Sequence, residues 1–236
     1  GTSTDGTTWK VDRAAGVLTI QGTTAATSSD AWKGELKYVD TLVFDEGITA
    51  IGADLLRENK DIRYVRMSDT VTAIGDNAFK LCTALEEVTL SKNLETLGKG
   101  AFQNCSALTA IVLPDKLTAI PESAFRSCES LQTVTGGNNV KTIGADAFAD
   151  CTALKSFDTA TVLETIGSGA FSRCTALEKI VLFGALKPLT SGIFNGCTAL
   201  KEAHFNGTST QWTTLTAAAD TELKNATPVY TITHTI

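Results

Sequence analysis

The sequence predicts an α/β solenoid, a right-handed superhelix of 23-residue coils stacked along one parallel sheet. Three observations predict it. Six cysteines, Cys82, Cys105, Cys128, Cys151, Cys174 and Cys197, follow one another at intervals of 23 residues. Each is preceded three residues earlier by Phe79, Phe102, Phe125, Phe148, Phe171 or Phe194, and followed three residues later by Leu85, Leu108, Leu131, Leu154, Leu177 or Leu200. Upstream, an apolar residue recurs in the same register at Ile51, Ile74, Leu97, Ile120, Ile143, Ile166 and Leu189, most often with glycine after it. A fixed period of this kind marks identical units that bury their apolar faces only against one another.

The chain reads as one domain over residues 1–236: an N-terminal cap and lead-in strand over 1–50, seven repeats over 51–211, and a C-terminal cap over 212–236. In the first part, Trp9 and Val11, a turn at Ala15-Gly16, then Val17, Leu18 and Ile20 predict a hairpin. Leu42 and Phe44 precede Val65 and Met67 by 23 residues, which adds one strand ahead of the first full coil. That first coil is imperfect, with Leu56, Asn59 and Ile62 where later coils have Phe, Cys and Leu. End units have one neighbour only, so the pattern is freer there. Within a coil, Leu108, Ile111 and Leu113 give a short strand with alternating burial. Pro114-Asp115 turns the chain, and Leu117 and Ile120 return it to the core. Ser123–Cys128 has the spacing of a short helical turn, with Phe125 and Cys128 on one inward side. One strand and one helical turn per coil is the arrangement of a leucine-rich repeat. At the far end, Trp212, Leu215, Val229 and Ile232 predict a closing element.

Composition narrows the function classes. With 20 basic and 26 acidic residues the net charge is -6, and no Lys/Arg block offers phosphates a binding surface. Nucleic acid and anionic membrane surfaces are therefore not expected partners. No apolar run approaches the ~20 residues of a membrane span. The opening Gly1-Thr2-Ser3-Thr4 is small and polar rather than a signal peptide, so a mature or trimmed chain is expected.

The Ala-Phe-x-x-Cys-x-x-Leu core, preceded by Ile-Gly, resembles the BspA-like leucine-rich-repeat proteins of gut and oral bacteria. The resemblance extends to Thr8–Gly22, similar to the family's lead-in hairpin, and to Phe205–Trp212 and Leu223–Ala226, similar to its closing segment. It implies export or surface attachment, adhesion in some members, and no catalytic motif to carry over. Two strands depart from the pattern: Gly136 and Thr159 stand where a second apolar strand residue is expected.

The cysteine column has a bland explanation. Equivalent residues of adjacent coils point the same way at ~4.8 Å, wider than the preferred Cβ separation of a disulfide. Six buried, unpaired thiols are therefore expected, and no metal, because a column cannot converge on one point. The phenylalanines should stack along the interior, offset or edge-on. Gly52, Gly75, Gly98, Gly144 and Gly167 permit either close backbone approach or positive φ, and none lies in a phosphate-binding frame. The two histidines, His204 and His234, belong to no hydrolase or metal motif, and register buries Cys197 away from His204. No enzyme and no cofactor are expected.

Recognition is expected on the concave face of the sheet, from strand residues between the buried ones: Thr41, Val43, Tyr64, Arg66, Glu87, Thr89, Val112, Thr133, Thr135, Ser156, Asp158, Lys179, Val181 and His204. Tyr64 and Arg66 are of types enriched at binding hot spots. Val112, Val181 and Phe183 are apolar on or near that surface. The leading expectation is a secreted or cell-surface module that adheres to a host or bacterial protein. An architectural spacer in a longer polypeptide is the alternative. Glycan binding is the weakest, since Tyr64 and Phe183 lie many coils apart.

Overall fold

The computed structural model describes residues 1–2, 6–22, 26, 32–158, 162–183 and 185–230; Thr159, Ile232 and His234 lie outside them. Alternating apolar and polar residues make β1 (Thr8–Asp12) and β2 (Val17–Gln21) an antiparallel hairpin, turned through Gly16 at φ 70°. A 3-10 turn at Lys33–Tyr38 tucks Leu36 under it and leads to β3 (Thr41–Phe44). Then the coils begin. They alternate a two-residue strand with a longer one: β4 (Ala50–Ile51) with β5 (Tyr64–Met67), β6 (Ala73–Ile74) with β7 (Glu87–Thr89), and β8 (Thr96–Leu97) with β9 (Ala110–Leu113). Next come β10 (Ala119–Ile120) with β11 (Thr133–Gly136), β12 (Thr142–Ile143) with β13 (Ser156–Phe157), and β14 (Thr165–Ile166) with β15 (Lys179–Leu182). The end holds β16 (Glu202–Phe205), helices α1 (Ser209–Thr216) and α2 (Thr221–Asn225), and β17 (Thr227–Tyr230).

The result is a parallel-sheet solenoid of about nine turns, the leucine-rich-repeat architecture expected. Its main sheet has 11 strands in the order β1-β2-β3-β5-β7-β9-β11-β13-β15-β16-β17. Beyond the hairpin every pairing in this sheet is parallel. The sequence predicts one sheet, and the structure adds two short ones, β4-β6-β8 and β10-β12-β14. The return step at Ile51, Ile74 and their equivalents is extended, and equal coils bring these steps into register as Ile51–Ile74 and Ile120–Ile143.

One element is corrected. Ser123–Cys128 and its equivalents are turns, not a helical turn. Left-handed residues recur with the period: Asp54, Asn77, Ser123 and Asp146 in one column, and Glu58, Leu81, Asn104, Ser127, Asp150 and Arg173 in another. These rotations send alternate N–H groups sideways. Asn77, Phe79 and Leu81 donate to the Lys99, Ala101 and Gln103 carbonyls of the next coil, at 2.9, 2.8 and 2.8 Å. A helix would direct every N–H along its own axis and leave the coils unlinked on this side. Side chains that disfavour this conformation, Leu81 and Arg173 among them, are held there by bonds to the next coil.

Inside, six phenylalanines form a continuous stack. Adjacent ring centroids from Phe79 to Phe194 are 5.0–5.5 Å apart and their planes lie within 10°. Phe157 meets Phe171 edge-on at 66°, filling the space beside the stack. The thiols are buried and unpaired. Each donates to a carbonyl 26 residues earlier: Cys105 to Phe79, Cys128 to Phe102 and Cys151 to Phe125, all at 3.1 Å. A sulfur that serves as spacer and weak donor explains the column without any redox role.

The glycines of the return step serve close approach rather than positive φ. A Cβ on Gly98 would lie 2.3 Å from the Asp76 nitrogen, and one on Gly144 2.5 Å from that of Glu122. Gly98→Ala is therefore expected to cost about 1–3 kcal/mol, as overpacking against rigid backbone does. Gly34→Ala, where a Cβ meets nothing within 4 Å, is the control. Equal urea midpoints for the two variants would refute the close-approach reading.

The last coil ends against a mimic of the next one. Gly192, Phe194 and Gly196 occupy the positions of Asn77, Phe79 and Leu81 five periods on. Their N–H groups donate to carboxylates instead of carbonyls: Asp220 at 2.6 and 2.7 Å, and Glu222 at 2.9 Å. Thr208 and Gln211 close a reciprocal capping box on α1. Among the described residues β17 is the last strand. Thr227 turns its N–H toward Lys201, so the following Pro228 faces the open side of the sheet.

Candidate functional site

The side chains that alternate with the core strand residues form two rows across the outward face of the main sheet. Register aligns Thr41, Tyr64, Glu87, Ala110, Thr133, Ser156, Lys179 and Glu202 in one row. The other holds Val43, Arg66 and Thr89, then Val112 and Thr135, then Val181 and His204. Arg66, Glu87, Thr89, Val112, Thr133, Thr135 and Asp158 are exposed, whereas Tyr64, Ser156, Lys179 and His204 are half-buried. Two expected positions are corrected. Val181 is buried, at 4 % exposure, because it sits in register beside the larger His204. Thr41 is buried between Val17 and Tyr64, its hydroxyl bonded to Asp40 at 2.8 Å. Facing outward is not the same as reaching solvent when larger neighbours flank a short side chain.

Several of these groups are already engaged. Tyr64 donates its hydroxyl to Glu86 at 3.3 Å, and Arg63 forks onto the same carboxylate at 2.9 Å while lying over the Tyr64 ring. Hydrogen bonding to Glu86 raises the Arg63 pKa. Lys179 pairs with Asp158 at 3.8 Å, and His204 meets Glu202 at 3.2 Å. His204 therefore attends a surface carboxylate, while the Cys197 thiol donates to the Phe171 carbonyl at 3.0 Å. The two do not form a nucleophile–base pair. Arg66 and Glu87 make no ion pair among the described residues.

Where these rows cross β7 and β9 the sheet opens. These strands share one rung, Glu87–Ala110, while other parallel neighbours in the sheet share two to four. The equivalent residues Ser68 and Gly137 donate an N–H back to Phe44 and Leu113, at 2.8 Å each. Here Pro114 occupies the donor position facing Leu90, and proline has no N–H. A cavity of about 530 Å³ lies at this junction, lined by Glu87, Val88, Thr89, Leu90, Lys92, Ala110, Val112 and Pro114. Val112, 65 % exposed, is the most exposed large hydrophobic side chain on its rim. The sequence reading named Glu87, Thr89 and Val112 but missed Leu90, Lys92, Ala110 and Pro114. Lys92 is held by Asp69 at 2.5 Å, and that hydrogen bond raises the Lys92 pKa and lowers that of Asp69.

Among the described residues no group of three or more His, Cys, Asp or Glu could hold a metal ion, and no helix is long and apolar enough to cross a membrane. A family profile described as a BspA type leucine rich repeat region matches residues 28–131 and 95–224, in six copies. Among solved structures, the chain is similar to a leucine-rich repeat protein from Bacteroides ovatus ATCC 8483. Identity is 26%, the TM-score is 0.69, and the match covers 84% of this chain and 49% of that one. The chain thus spans about half the length of that relative. It shares the fold of a leucine rich repeat protein from T. pallidum, at 22% identity and TM-score 0.52, over 86% of this chain and 80% of that one. No curated protein matches it.

Proposed function

The chain belongs to the family of BspA type leucine-rich-repeat proteins, and from that premise we propose that it is a non-catalytic recognition module, exported or displayed at a bacterial surface, which binds a protein partner through the outward face of its main sheet. Repeats of this type are commonly used for protein interaction, and such folds are typically non-enzymatic. One observation carries the reading. The buried columns repeat almost unchanged, while the outward rows vary in chemistry along the solenoid, as from Arg66 to Thr89 to Val112 to Thr135. Substitution on that face leaves the core untouched, so a common scaffold can display different surfaces.

A random peptide library displayed on phage, selected on the full chain, tests this. Selected peptides should bind the Arg66→Glu/Asp158→Lys variant roughly tenfold more weakly. Its melting temperature should barely move, because both residues are exposed and a surface ion pair such as Asp158–Lys179 contributes ~0–1 kcal/mol. Reversing Lys99 and Arg126, on the turns, should not affect binding. Peptides indifferent to the outward face would instead support a spacer, or recognition by the turns.

A further inference from the structure

Between β4 and β14 there is one junction at which both ladders are interrupted. On the main sheet β7 and β9 keep a single rung, and on the short side β8 and β10 belong to separate sheets. Two prolines of one coil stand at this junction, Pro114 on the main sheet and Pro121 on the short side. Pro114 withholds one donor, and Pro121 the other: at its equivalents Gly75, Gly144 and Gly167 donate to Ile51, Ile120 and Ile143 at 2.8, 2.7 and 2.7 Å. The turn side stays shut. Gly100, Phe102 and Asn104 donate to Glu122, Ala124 and Arg126 at 3.0, 2.8 and 2.8 Å, and Phe102 stacks on Phe125. The junction is thus a cleft with a closed back, and its mouth is the cavity beside Val112.

The mouth joins an apolar floor to one uncompensated charge. Leu90, Ala110, Val112 and Pro114 line it. Of its two charged residues, Lys92 is neutralised by Asp69, whereas Glu87 has no ion pair among the described residues. The net charge of -6 draws cationic groups from further away.

We infer that this cleft is the anchor of the recognition face, and that it takes one aliphatic or aromatic side chain from a protein segment carrying lysine or arginine beside it. The inference rests on the recognition reading above and narrows it. The apolar side chain would leave water against Val112 and Leu90, the kind of desolvated central contact that dominates binding. The neighbouring cation would meet Glu87, which fixes orientation and excludes acidic segments.

The same peptide selection decides it. Enriched peptides should share an apolar residue next to Lys or Arg. Their affinity, by fluorescence polarisation, should fall roughly tenfold for Val112→Asp and for Glu87→Lys. Pro114→Ser, which removes an apolar ring from the lining, should weaken binding similarly. All three variants should keep the wild-type melting temperature or exceed it. Peptides weakened by Arg66→Glu/Asp158→Lys but not by these variants would overturn the anchor and leave the outward-face reading standing. Peptides indifferent to both sets, or no enrichment over a bare support, would count against both.

Discussion

Raising the pH above 9 is expected to unfold this protein, with a slope that steepens toward a limit of about 7 kcal/mol per pH unit as the unfolded thiols become fully ionised. Burial raises the Cys82 thiol from its ordinary value of 9.0 to about 12. It raises Cys105, Cys128 and Cys151 well above that ordinary value, with repulsion between successive thiolates adding to it. Cys174 also rises well above that value, through the neighbouring Cys197 side chain and then through burial. The sign follows from linkage. Folded thiols stay neutral where unfolded ones ionise, so their contribution is complete below pH 9 and is lost as pH climbs toward the folded values. Each such group contributes ~1.4 kcal/mol per pH unit, and five together reach ~7. Domain stabilities are ~5–15 kcal/mol, so about one or two units suffice. Urea melts between pH 8 and 10.5 measure this directly. A flat profile, or native thiols that react with an aromatic disulfide reagent as fast as free cysteine, would refute it. After denaturation without reductant, six thiols should titrate.

Phe125→Ala should cost about 3–5 kcal/mol, the range for deleting a buried phenylalanine from a core that cannot collapse. Phe125 is fully buried between Phe102 at 5.5 Å and Phe148 at 5.3 Å. The coil on the Phe148 side is held by its ladders and the coil on the Phe102 side by the turn bonds to Glu122, Ala124 and Arg126, so local relaxation fills little of the void. Phe194 stacks only on Phe171, and Phe194→Ala should cost less. Chemical denaturation of both variants checks the order. Equal losses would mean that the stack adds nothing beyond burial of each ring.

Much of this architecture was legible in the sequence because a solenoid repeats its buried positions. Phe79 to Phe194, Cys82 to Cys197 and the strand pairs from Leu42 and Phe44 onward all sit where the period places them. The turns were not legible. Ser123–Cys128 has helical spacing, and only the bonds to the next coil, through left-handed residues as unlike as Leu81 and Arg173, turn it into something else. Asp220 and Glu222 were equally hidden, since they stand off the period and act on residues 26–28 positions earlier. On the outward face, register identified which side chains point out but not which stay wet, hence Val181. The cleft had a readable trace. Pro114 and Pro121 stand at two positions where some other coils use an N–H, at Ser68 and Gly137 and at Gly75, Gly144 and Gly167, and a missing donor is a property of the residue itself.

Pro228 carries a different consequence. A column of like coils whose final strand left its amides free would be a template, and another molecule could continue it indefinitely. Pro228 sets a ring without an N–H on the outer side of β17 and so removes one of the donors that side would present. Among the described residues, that side of β17 therefore offers an approaching strand one hydrogen bond fewer than an unbroken run of amides would.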